Sequence, residues 1–137
     1  MGRILALDYG TKRVGVAVTD EFQIIASPLD TIHSTLIVKY LSDYLAKNVV
    51  DIIVIGEPKR LNNEDTDSTK LINEFVVHLT RKFPLIKIDR MDERFTSKMA
   101  KQAILLSGVN KKRRMDKDLV DTISATLILQ SYMEFKK

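Results

Sequence analysis

Four acids stand where predicted strands or helices begin or end: Asp8, Glu93, Asp118 and Asp121. Asp8 closes the apolar run Ile4-Leu5-Ala6-Leu7, and the turn Tyr9-Gly10-Thr11-Lys12-Arg13 leads into a second run, Val14-Gly15-Val16-Ala17-Val18. An apolar run of that length bounded by glycine reads as a buried central strand. A carboxylate at its end is half-desolvated, which is costly unless it meets a cation. Lys12 or Arg13 could supply the charge in a salt bridge that shapes the turn, and so could a bound metal ion. The metal gains weight because Glu93 also ends a strand-like run and Asp121 opens a helix, places where a sheet-based site recruits ligands.

Each acid has a rival explanation. Glu93 could be an exposed strand-end acid paired with Arg94, and its neighbour Asp92 could be the ligand instead. Ile86 and Ile88 share parity with Asp92, but the alternation dissolves before position 90 and leaves the choice open. Asp118-Leu119-Val120-Asp121 resembles a capping box, which stabilises a helix start without any metal. Positions 118, 121, 125 and 128 share one helical face, so a capping Asp118 and a liganding Asp121 are compatible. Glu57, after Gly56, is a further candidate ligand. His33 and His78 lie on unrelated segments and make a poor case for zinc.

The elements that must position these acids follow from periodicity. Strands are predicted at 3–8, 14–20 and 23–32, with short links that favour antiparallel hairpins. A helix starting at His33 or Ser34 carries Leu36, Ile37, Tyr40, Leu41, Tyr44 and Leu45 at helical spacing. The stretch 51–57, nearly all Ile and Val, reads as a strand buried on both faces. A second helix runs from Asp67 to near Pro84, a fifth strand over 85–91, a helix from Thr96 or Ser97 to Leu106, and a last helix from Asp118 to Phe135. The order predicts an α/β fold: a mixed five-stranded sheet, an antiparallel meander plus two parallel strands, flanked by helices. Right-handed crossovers would set the fourth and fifth strands beside the first, with Asp8, Gly56-Glu57 and Glu93 on one edge. Ligands bind at that edge of open α/β sheets.

The 137 residues fit a single domain over 1–137, and 45% apolar with 29% charged residues describes an ordinary globule. No apolar stretch approaches the roughly 18 residues of a membrane span, and no signal peptide precedes the first strand. There is no cysteine, which excludes thiolate metal sites and suits the cytoplasm. The net charge of +4 resides in one segment: residues 111–117 hold five cations and one acid, leaving 17 basic and 17 acidic residues elsewhere. Such a segment is either a solvated loop or a phosphate-binding arm of Lys111, Lys112, Arg113 and Arg114. Lacking an aromatic residue, it would contact nucleic-acid backbone rather than stack on bases. Lys12, Arg13, Lys59, Arg60 and Arg94 are further candidate contacts.

The turn Asp8-Tyr9-Gly10-Thr11-Lys12-Arg13-Val14-Gly15-Val16-Ala17 closely resembles the opening signature of the YqgF/RuvX family. Gly56-Glu57-Pro58, Asp92-Glu93-Arg94-Phe95-Thr96, and Val120-Asp121-Thr122 through Ile128-Leu129-Gln130-Ser131-Tyr132 resemble its later motifs, in order and across essentially the whole chain. The resemblance implies a ribonuclease H-like fold and a nuclease. Its substrate would be precursor small-subunit ribosomal RNA, matured at the 5′ end, or a four-way DNA junction, for which a dimer would be needed. It assigns Asp8, Glu93 and Asp121 to the three acidic positions, favours Glu93 over Asp92, and implies two Mg²⁺ or Mn²⁺ ions with Asp8 between them. Where relatives usually carry an apolar residue and a glycine-containing loop, this chain has Glu57 and the acidic run Asn62-Asn63-Glu64-Asp65. Structured RNA is the favoured partner, acted on by a monomer or homodimer, with no membrane involved. Two other classes stand beside this one. Asp-x-Gly-Thr also opens the phosphate loop of actin-like ATPases and sugar kinases, which need a second such loop that this chain lacks. A non-catalytic RNA-binding assembly factor would keep the fold and the basic segment.

Overall fold

The computed structural model describes residues 2–57, 69–92 and 117–136. The expected helix at 96–106, the basic residues 111–114 and the acidic 62–65 run lie outside them. Five strands form one sheet: β1 (Arg3–Tyr9), β2 (Arg13–Thr19), β3 (Ala26–His33), β4 (Val50–Glu57) and β5 (Lys87–Asp92). Three helices accompany it: α1 (Ile37–Lys47), α2 (Thr69–Lys82) and α3 (Lys117–Lys136). The strand order is β3-β2-β1-β4-β5. The three N-terminal strands pair antiparallel, while β4 runs parallel to β1 and β5 parallel to β4. The mixed sheet expected from the sequence is thus present, with one correction. Of the fourth and fifth strands only β4 lies beside β1, and β5 is one place further out.

Strand alternation divides the core into two layers. Leu5 and Leu7 of β1, Val14, Val16 and Val18 of β2, and Ile53 and Ile55 of β4 face α1 and α2, where Ile37, Leu41, Ile72, Phe75 and Leu79 cover them. Ile4, Ala6, Ala17, Ile52 and Val54 face the other way, under Ala125, Ile128, Leu129 and Tyr132 of α3. Each buried Val, Leu, Ile or Phe among them contributes about 1.5–3 kcal/mol, so the faces of all three central strands are firmly assigned. A helix with apolar residues at i, i+3 and i+7 covers its layer, as Ile72, Phe75 and Leu79 of α2 do.

Two boundaries differ from expectation for reasons visible in the hydrogen bonds. β3 begins at Ala26 rather than Gln23 because Asp20 captures the chain first. Its carboxylate accepts the N–H groups of Ile24 and Ile25 at 2.7 and 2.8 Å, and that of Phe22 at 3.3 Å. Gln23 takes the left-handed conformation, φ 58°, to complete the turn. The first helix begins at Ile37 rather than His33 or Ser34. The Ser34 hydroxyl donates to the Thr11 carbonyl at 2.7 Å and so does not cap the helix. Its own N–H donates to the Lys12 carbonyl at 2.9 Å. The link between β3 and α1 therefore braces the β1–β2 turn. β3, an edge strand, accommodates Pro28, which has no N–H to lose.

Candidate active site

Register sets out the site. Asp8 pairs with Gly15 across β1–β2, and Gly15 pairs with Thr31 across β2–β3. In the parallel half of the sheet Leu7 is level with Ile55, so Asp8 is level with Gly56, whose partner on β5 is Met91. One row therefore crosses all five strands near one edge. The row faces α3: Asp8 shares the parity of Ile4 and Ala6, and Gly15 that of Ala17. Asp8 is half-buried there, as its place at the end of an apolar strand predicts. Tyr9, of opposite parity, stacks on Phe75 on the other face with ring centroids 4.3 Å apart.

The last helix lays the backbone of a second acid, Asp121, on this row. A Cβ placed on Gly15 would overlap the carbonyl oxygen of Asp121 and stand 3.2 Å from its Cβ, so α3 rests its backbone on the bare glycine. Only glycine permits so close an approach within a strand. Gly15 is also the residue paired with Asp8, and that shared contact joins the first and last motifs of the chain. Arg13, two places along β2 on the same face, donates from Nε to Asp121 Oδ2 at 2.9 Å. Both partners are partly exposed, 34% and 23%, so the pair lies at the rim rather than in the core. The neighbouring hydroxyls of Thr31 and Thr122 hydrogen-bond at 2.6 Å, and Thr126 donates to the Thr122 carbonyl at 2.9 Å. Ala125 and Ile128, expected to share a face with Asp121, are both buried against the sheet.

The turn joining β1 to β2 is tight. Gly10 N–H donates to the Arg13 carbonyl at 2.9 Å, and a Cβ on Gly10 would stand 2.8 Å from that oxygen. Thr11 and Lys12 at its tip are exposed.

The other candidates divide as follows. Glu57 ends β4 and is level with Asp92 at the end of β5, one step beyond the row of Asp8. Asp118 falls in the first turn of α3. Glu93, Arg94, Lys59, Arg60, Lys111, Lys112, Arg113 and Arg114 lie outside the described residues. Among the described residues no three of His, Cys, Asp and Glu form a group able to hold a metal ion. His33 hydrogen-bonds Thr35 at 2.8 Å and His78 is exposed on α2. Two places down β5 from the row and on the same face, Tyr132 of α3 donates to Asp89 at 2.8 Å. Burial, then that bond, pushes its phenol up to about 12.

Sequence reasoning singled out Asp8, Arg13 and Asp121 but passed over the structural use of Gly15, Thr31, Thr122 and Ser34. Gly15 alone had a signal, since glycine inside an apolar strand marks a close backbone approach.

A family model described as "RuvX: Holliday junction resolvase" matches residues 2–135. A Flavobacterium johnsoniae protein named "Putative pre-16S rRNA nuclease" is 53% identical over 137 residues, covering 100% of this chain and 99% of that one. A Parabacteroides distasonis protein of the same name is 51% identical, covering 100% and 98%. Among solved structures, an uncharacterized protein with similarity to the peptidase YeaZ from Pseudomonas aeruginosa is 19% identical with a TM-score of 0.50. It covers 79% of this chain and 50% of that one, a likeness of fold alone. A match across both terminal motifs, with the acids of those motifs brought to one row of a mixed sheet, has one reading: the chain belongs to the RuvX (YqgF) family and has its ribonuclease H-like fold.

Proposed function

We propose that the chain is a nuclease that hydrolyses phosphodiester bonds in precursor ribosomal RNA, acting in maturation of the 16S 5′ end. The observation that carries this reading is the seating of Asp121 on Gly15, the partner of Asp8. It brings two carboxylates from opposite ends of the chain to one sheet edge. Full-length relatives named for pre-16S rRNA give the substrate.

Asp8, Asp121 and Glu93 would hold Mg²⁺ or Mn²⁺. The donors fit hard cations, since all are carboxylate oxygens and neither thiolate nor imidazole stands in the described row. When bound, such ions polarise the phosphate and lower the pKa of water. In the sequence Glu93 has the parity of Asp89 and Met91, which face α3, whereas Asp92 has the parity of Ile88, which faces α1 and α2. That parity supports Glu93 as the third ligand. Arg13 keeps the Asp121 carboxylate in place, and Lys12 at the exposed tip of the turn is suited to a substrate phosphate.

A second reading, cutting of four-way DNA junctions, is favoured by the description of the family model. Purified protein with Mn²⁺ is offered a 5′-extended 16S precursor and a mobile four-way junction. Cutting of the RNA alone supports the first reading. Symmetric paired nicks in the junction, with the RNA intact, reverse the order. Inertness toward both with binding retained makes the protein an assembly factor, and cleavage in excess EDTA removes the metal.

A further inference from the structure

We infer that Arg13, Gly15 and Thr31 are positioning residues that seat the first turns of α3, so that Asp121 is held over the row carrying Asp8. The three make three different contacts with two consecutive helical residues. Gly15 supplies a gap in the side-chain layer, into which the Asp121 carbonyl fits. Arg13 holds the Asp121 carboxylate at 2.9 Å. Thr31 ties the next residue, Thr122, through a 2.6 Å bond between hydroxyls. Gly15 and Thr31 are a cross-strand pair, and Asp8 is the residue on the far side of Gly15. The seat is therefore built on the same transverse row as the acid that Asp121 must meet.

Each contact fixes a different freedom of the helix. The glycine sets how deep α3 lies, because any side chain would lift it off β2. The hydroxyl pair sets its position across the sheet toward β3. The guanidinium sets the direction of the carboxylate itself. Fixing a ligand before its ion arrives removes the ordering cost from binding, as outer-sphere partners do in metal sites generally.

The inference rests on the nuclease reading for its effect on catalysis, but the seat can be tested without metal. Amide hydrogen exchange over residues 121–124 in metal-free protein reads the helix start directly. Thr31→Val keeps the side-chain shape and removes the hydroxyl, so exchange there should quicken. Mn²⁺ affinity measured by calorimetry should fall about fivefold, the equivalent of one neutral hydrogen bond. In steady-state cleavage kcat should fall with KM for RNA nearly unchanged, and Thr31→Ser should restore all three readouts. Gly15→Ala should act in the same direction by about 10-fold or more, within the range of outer-sphere changes. Should Gly15→Ala fail to fold, Thr31→Val carries the test.

Unchanged exchange in Thr31→Val would overturn the inference whatever the activity. So would a rise in KM alone, which would make Thr31 a substrate contact. Arg13→Gln should leave the salt dependence of RNA binding as it is in the native protein. A log–log slope flatter by about 0.7–0.9 would mean that its guanidinium neutralises a phosphate instead, and would remove it from the seat. Native protein that neither binds Mn²⁺ nor cleaves would overturn the nuclease reading, leaving the metal-free exchange to decide the seat.

Discussion

At the scale of single residues, the proposed roles of the acids follow from where each stands in its element. Asp8 is half-buried at the end of β1, on the face of α3, where a charge is tolerated only with partners. Asp8→Asn keeps the size and removes the charge, so cleavage should fall by more than about 100-fold, beyond the range of outer-sphere changes, with RNA binding largely kept. Glu93→Gln should match it, whereas Asp92→Asn should leave most activity. Undiminished cleavage by Glu93→Gln would transfer the role to Asp92. Asp20 illustrates the opposite use of a carboxylate. The N–H groups of Ile25 and Ile24, with a smaller contribution from Phe22, hold it below its ordinary value of 3.8. A depressed value in the folded state means stability that is present above pH 3.8 and lost as pH falls through the lowered value. Asp20→Asn should therefore show a smaller drop in urea midpoint between about pH 7 and pH 3 than the native chain. Equal drops would mean that the turn does not depend on the charge.

At the scale of elements, α3 lays Asp121 on Gly15, and its fit is not perfect. Its Ser124 is 1% exposed, and its hydroxyl has no hydrogen-bond partner. A buried hydroxyl without a partner costs about 1–3 kcal/mol, and Ala is also the better helix former. Ser124→Ala should thus stabilise the protein by about 1 kcal/mol, read as a higher urea midpoint at unchanged slope. A lower midpoint would show that the hydroxyl is satisfied in solution. The turn between β1 and β2 is likewise supported from outside itself, by Ser34 bonding the carbonyls of Thr11 and Lys12. The exposed Lys12 is thus presented on a braced rather than a free loop.

At the scale of the whole molecule, charge is distributed unevenly. The segment 111–117 carries the entire net excess of +4 in the chain. Changing Lys111, Lys112, Arg113 and Arg114 together to Ala should weaken binding similarly for all RNA sequences. It should flatten the log–log salt slope by about 0.7–0.9 for each phosphate that these cations neutralise in the native protein. An unchanged slope in the quadruple variant would make this segment a solvated connector and direct attention to Lys12, Lys59 and Arg60. The core has two layers: α1 and α2 cover one face of the sheet, while α3 on the other carries both packing residues and Asp121.

Much of this could be read from the chain itself because strands and helices write their period into it. The unbroken apolar runs at 4–7 and 52–55 predicted central strands, and both are buried throughout. The position of Asp8 at a strand end and the shared face of 121, 125 and 128 needed no tertiary information. Strand order was legible only in part, since crossover rules put β4 beside β1 but did not distance β5. The partners in the site lay beyond any local rule. Arg13 and Asp121 are 108 positions apart, and Thr31 and Thr122 are 91. Arg13 was a candidate partner for Asp8 and for nucleic acid, and its bond to Asp121 appears only with α3 laid on Gly15. Periodicity states which face a residue occupies, because that depends on backbone geometry within a few residues. Which element covers that face depends on the packing of distant segments, and only the folded sheet decides it.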